Sequence, residues 1–301
     1  MIGKTRQQPA LVSRTSEVAP ASEIRASEIE EVYDPEVGKA RGMLRRPLRA
    51  GKMRHARKRP AADLAGWIAH YWMIRWDLRG CEPQLAESVP HPNVHMIFEP
   101  AASVVAGVQT HMFKRTLEGQ SQVFGVKFKP GGFRPFLKYA VSKLADRTVP
   151  VDRIFGKDVA ALKSIVLSAS SEGEKVEAAN AFFHERMPSP DKTVGLAGQL
   201  VERILQDREI KTVDDLVNRT SIGKRSLQRL FSEYVGVSPK WVIRRYRVHE
   251  LIERFHPGEE PDWPQLALEL GYFDQAHLIN DFRAITGYSP TEYQKLIQRG
   301  M

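Results

Sequence analysis

Ser226-Leu227-Gln228-Arg229-Leu230-Phe231-Ser232-Glu233-Tyr234-Val235-Gly236-Val237-Ser238-Pro239 decides how the C-terminal third of this chain folds, because a second version occurs downstream. Leu227 aligns with Leu278, Phe231 with Phe282, and Gly236-Val237-Ser238-Pro239 with Gly287-Tyr288-Ser289-Pro290, at a constant offset of 51 residues. In the first version Leu227, Leu230, Phe231 and Tyr234 fall at i, i+3, i+4 and i+7, the apolar stripe of an amphipathic helix. The glycine suits the position just past a helix, and Ser-Pro suits the cap and first residue of the next. Ser289 is followed three residues later by Glu292, a capping box. Each copy therefore predicts a short helix, a turn, a second helix and a Gly-x-Ser-Pro stop.

Working outward, Thr212 is the expected N-cap of a helix carrying Val213, Leu216 and Val217, and Thr220-Ser221-Ile222-Gly223 is the turn. The second helix is expected from about Lys224 to Tyr234, with Lys224, Arg225, Gln228, Arg229 and Ser232 opposite the apolar stripe. Such side chains suit a helix that enters a major groove: Arg pairs bidentately with guanine and Gln with adenine. Contacts concentrate in the N-terminal half of such helices. An amphipathic helix with a solvated basic face would show the same stripe, but would not require a repeat. The second copy offers Gln275, Ala276, Ile279 and Asn280, a face suited to thymine methyl groups and amide hydrogen bonds.

The copies differ in charge. Arg219 to Arg247 holds eight basic residues against one acid, Glu233, whereas Val248 to Met301 holds four basic and nine acidic residues. Phosphate affinity scales with the charge neutralised, so the first unit is expected to anchor. Arg244 and Arg245, on the intervening helix, are counted with it as DNA-contacting cations.

Ser226-Leu227-Gln228-Arg229-Leu230-Phe231, Gly271-Tyr272-Phe273-Asp274-Gln275 and Gly287-Tyr288-Ser289-Pro290-Thr291-Glu292-Tyr293 resemble the AraC/XylS family of bacterial transcription regulators. The resemblance is strongest over Thr212 to Leu296 and implies two helix-turn-helix units joined by a long helix, here Pro239 to Phe255. It departs at Ser221, where glycine is common, and at Asn280 and Asp281, often a basic and an apolar residue.

The expected fold class is α+β: a β-rich sensor domain over 61–157, a helical connector and hinge over 158–190, and an all-α DNA-binding domain over 191–301. Ile68, Trp72, Ile74 and Trp76 share strand parity, and Val94–Phe98, Val104–Val108 and Val123–Phe128 are further β-prone runs ended by Pro130-Gly131-Gly132. In size and order this region is similar to the cupin-like barrels that often precede the DNA-binding half in the family. Val159–Leu167 and Val176–Met187 read as helices that either pack on the β domain or carry a dimer seam, and Pro188-Ser189-Pro190 is the hinge. Residues 1–60 read as a basic, disordered arm, with nine Lys/Arg and no acid between Arg41 and Arg59. That arm is either a phosphate-binding segment or a solvated tail, and Met43 and Met53 are alternative starts.

His91, His95 and Glu99 invite a cupin-type metal site. On a strand, however, residues four apart lie about 13 Å apart, whereas ligands converge to ~2.0–2.2 Å from one ion. Accordingly no catalytic residue, metal or cofactor is expected. Cys81 is the only cysteine of 301 residues, which excludes an internal disulfide and fits a reducing cytosol. No run of 18 apolar residues and no signal-type h-region is present. With 42% apolar and 27% charged residues and a formal charge of +9, the chain reads as a cytoplasmic, nucleoid-associated DNA-binding protein.

Expected partners are double-stranded promoter or operator DNA, an unidentified small-molecule effector, RNA polymerase and a second copy of the chain, and not a membrane. The competing readings are a cupin-type metal enzyme or alkyl-transfer repair protein with an attached helix-turn-helix module, and a non-specific architectural protein. The single cysteine argues against the repair version.

Overall fold

The computed structural model describes residues 28–38, 51–255 and 261–298, with the backbone of 43–44. In chain order its strands are β1 (Glu28–Tyr33), β2 (Met43–Leu44), β3 (Lys52–Lys58), β4 (Ile68–Leu78), β5 (Gln84–Ser88), β6 (His95–Phe98), β7 (Ser103–Ala106), β8 (Phe113–Leu117), β9 (Gly119–Phe128) and β10 (Thr148–Pro150). Seven form one sheet in the order β1-β3-β4-β9-β6-β7-β10, parallel only at β1–β3. The other three form a smaller sheet, β2-β5-β8. The two sheets share no ladder among the described residues and meet through Trp76, Leu78, Leu117 and Val123.

Strand β4 uses both of its faces. Tyr71 and Met73 enter the main core with Phe124 and Val126, while Trp72 and Ile74 lie on the opposite face with Trp76. Ile68 joins the main core instead, because a register shift between Ile68 and His70 moves it across the sheet. The expected common parity of Ile68 with Trp72 is corrected by that bulge.

Part of the expected basic arm is folded. Lys52–Lys58 is a strand, with Ala56 buried in the core and His55 and Arg57 buried on the other face. Glu28–Tyr33 pairs beside it, so Glu28 and Glu30 meet Lys52 and Arg54. Basic side chains conceal the period-two alternation here. Residues 1–27, 39–42 and 45–50, the rest of that expectation, lie outside the described residues.

Against the outer face of the large sheet pack α1 (Asp152–Phe155), α2 (Val159–Ser168) and α3 (Glu172–His184). Phe128, Phe133, Phe136, Phe155, Phe182 and Phe183 meet there, mostly edge to face. The apolar stripes of α2 and α3 are thus consumed by the sheet.

After residues 187–190, which lie in no helix or strand, come α4 (Lys192–Gln206), α5 (Val213–Thr220), α6 (Lys224–Leu230), α7 (Pro239–Glu253), α8 (Trp263–Glu269), α9 (Gln275–Thr286) and α10 (Pro290–Gln298). The caps and glycine stops of the expected tandem repeat are present in both copies. Thr212 and Asp215 form a reciprocal capping box, and so do Ser289 and Glu292. Gly236 and Gly287 close their helices at φ 98° and 75°, where a side chain would be strained. Helix α7 supplies Val242 and Ile243 to one core and Val248 and Leu251 to the next. The β-rich half reaches both of these cores, with Val108 in the first and Val89 in the second.

Candidate nucleic-acid interface

Helix α6 is held by Leu227 and Phe231, both fully buried, so its other side is fixed outward. Lys224, Arg225, Gln228 and Arg229 are all exposed there. Lys224 reaches back 2.9 Å to Asp214 on α5, which orients it across the turn. That turn needs a left-handed residue, and Ser221 supplies it at φ 56°.

Ser232 does not belong to this surface. Past Leu230 the helix widens into a π-turn, Phe231–Val235. One extra residue per turn rotates the residues beyond it off the α6 stripe. Ser232 Oγ then lies 3.0 Å from Ser142 Oγ, and Glu233 accepts from Arg134 at 2.7 Å. The end of the helix grips the β-rich half.

Helix α9 starts at Asp274, whose carboxylate caps His277 N–H at 2.7 Å. Ala276 and Asn280 are exposed and Gln275 and Ile279 half-buried on the same outer side. Phe273, one residue before the cap, is 88% exposed. It sits in the quoted signature, and its exposure at the tip of a reading helix adds it to this surface. Tyr272 beside it turns inward, where the Arg247 guanidinium lies 3.6 Å from its ring centroid.

Arg244 and Arg245 correct the expectation made of them. Arg244 donates through Nε to Asp281 at 2.8 Å and places Nη2 2.6 Å from its other oxygen. Its charge is spent on α9. This also accounts for an aspartate where an apolar residue is usual. Arg245 is fully buried, because it shares the inward face of α7 with Val242 and His249. Its Nε donates to the Pro90 carbonyl, and burial pushes its pKa down to about 10. Arg245 is closed off from solvent, and Arg244, partly exposed, is paired with Asp281.

The histidines considered as metal ligands are placed otherwise. His95 Nδ1 accepts from Trp72 Nε1 at 3.2 Å, and Glu99 pairs with Arg115. Among the described residues no three His, Cys, Asp or Glu side chains converge as a metal group. No helix among them is long and apolar enough to cross a membrane.

Comparison with known proteins assigns the two halves separately. Residues 56–150 match a domain of unknown function (DUF6597), and residues 216–296 match a helix-turn-helix domain. No curated protein matches the chain. Among solved structures, ToxT from Vibrio cholerae is 13% identical, with 71% of this chain and 90% of that one covered at a TM-score of 0.32. The unsaturated fatty acid-bound form of ToxT gives 14%, 71%, 87% and 0.34 for the same quantities. The xylose-binding transcription activator XylR is 15% identical over 41% of this chain and 38% of its own, with a TM-score of 0.29. Residues 216–296, with their repeated cap, turn and second helix, form a helix-turn-helix domain.

Proposed function

We propose that the chain is a transcription regulator that binds specific operator DNA through α6 and α9 and is modulated by a small molecule held in its β-rich half. The observation that carries this reading is the pairing of two outward helix faces, on Lys224–Arg229 and on Gln275–Asn280, joined by one connecting helix. The basic residues of the first unit that remain outward are the phosphate anchor, and the second unit reads more through shape and amides. Modulation is supported by contact: the β-rich half touches the first unit through Ser142 and Arg134 and the second through Glu87, which accepts from Tyr288 at 2.6 Å.

Selection of bound sites from random DNA, followed by footprinting, tests the reading. A discrete protected site is expected. Equal protection of any sequence, with a steep salt dependence, would mark an architectural protein instead.

A further inference from the structure

The inner face of the large sheet forms one wall of a cleft of about 2370 Å³, with β5 and β8 opposite and α4 and α7 across its mouth. Ladder pairing decides what lines it. His70, Lys127 and His95 stand in one row across β4, β9 and β6. Arg57, Trp72, Gly125 and Ile97 stand in the next. The cleft wall therefore combines a basic row with an aromatic and aliphatic one.

The basic row is wired in a particular way. Arg57 donates to His70 Nε2, with Nη2 at 2.7 Å, so His70 must present a lone pair and stay neutral. The Trp72 indole donates to His95 Nδ1, which leaves the His95 Nε2–H as a donor. Burial and the neighbouring cations hold both rings uncharged through the neutral range. Lys127 is enclosed by the fold yet keeps accessible surface, because it opens onto the cleft. The charges that bear on it are Arg57 and Arg245, both cationic. The carboxylates on the cleft wall are engaged elsewhere: Glu87 with Lys114, Glu99 with Arg115, Asp207 with Arg219, and Glu202 with Gln206.

A partly enclosed ammonium that feels two guanidiniums costs stability unless an anion compensates it. Next to it the Trp72 ring fills the space over Gly125, where a Cβ would meet the indole at 2.0 Å, and Ile74 and Ile97 extend the apolar strip. We infer that this cleft binds a small amphiphilic carboxylate, its headgroup on Lys127 and Arg57 and its apolar body along Trp72, Ile74 and Ile97. One negative charge matches Lys127, the cleft-wall amine that lies inside the fold without an acid partner among the described residues; Lys129, also on the wall, is exposed. This rests on the proposed small-molecule input and gives it a chemical class. Because α4 and α7 close the cleft, such a ligand touches sensor and DNA-binding halves together.

The test is calorimetric titration of the full chain with octanoate and 1-octanol, and with 2-naphthoate and 2-naphthalenemethanol. At least one acid should bind about tenfold or more tightly than its alcohol, the worth of a charge-assisted hydrogen bond. Lys127→Met should remove that preference while keeping the alcohol's affinity, and Lys127→Arg should restore it. Melting curves of both variants establish that they fold. Equal binding of acid and alcohol, an unchanged preference in Lys127→Met, or no binding of either acid would overturn the inference. DNA titrations run alongside separate it from the broader reading. Binding of an acid without any change in DNA affinity would sink the modulation and leave the site. An uncharged ligand that changes DNA affinity would do the reverse.

Discussion

Arg244 and Asp281 tie the connecting helix to the second reading helix: two guanidinium nitrogens lie 2.8 and 2.6 Å from the two carboxylate oxygens. Asp281 is largely buried while Arg244 is partly exposed, so the pair is weaker than a fully buried one. Asp281→Ala should cost roughly 1–3 kcal/mol in urea unfolding, because it strands the guanidinium. Arg244→Leu with Asp281→Leu should recover most of that loss. A double variant as unstable as the sum of the singles would show that the two side chains do not interact.

Affinity for the selected operator should fall more for Arg225→Ala than for Gln275→Ala. A bidentate base contact is worth about 1–3 kcal/mol, and only the first unit adds charge to it. Arg225→Ala should also flatten the salt dependence by about one ion when the side chain meets a phosphate, whereas Arg244→Ala leaves the slope unchanged. A larger loss at Gln275, or a slope that moves with Arg244, contradicts the division between anchor and partner.

Burial holds Lys127 down to about 7 from its ordinary 10.5. Between those values the unfolded chain binds more protons than the folded one, so ligand-free stability should rise as pH increases from about 7 toward 10. Lys127→Met should lose that rise and should be at least as stable as the parent at pH 7. Chemical denaturation at three pH values in that window reads both. A parallel pH profile for parent and variant would place the amine in ordinary water.

Ser221 holds φ 56° without the freedom of glycine. Ser221→Gly should stabilise the protein by roughly 0.5–1 kcal/mol and leave DNA affinity unaltered, while Ser221→Val should destabilise it. Thermal melts distinguish the two, and a stabilising valine would mean that the turn is not left-handed in solution.

Features governed by local pattern are legible in the sequence. The offset repeat, the Thr212 and Ser289 caps and the outward Lys224–Arg229 stripe depend on helical period and short-range hydrogen bonds, which a linear reading captures. Such a reading misplaces Ser232 because a π-turn leaves no mark in apolar spacing. It misplaces Arg245 because the residue it meets across α7, Pro90, is remote in sequence. β3 is hidden by its charge, since His55 and Arg57 line a polar cleft rather than a dry core. The row of His70, Lys127 and His95 exists only through strand pairing, so no spacing rule joins them.

The grips at Ser142 and Glu87 fall one on each helix-turn-helix unit. The separation of the two proposed reading heads is therefore held by contacts with the β-rich half as well as by α7. Successive major-groove faces lie about 34 Å apart along DNA, and a strut that shortens or lengthens between the heads retunes which spacing they fit. Operators differing by one inserted base pair would then act as a ruler, ranking the states of the β-rich half by the gap each prefers.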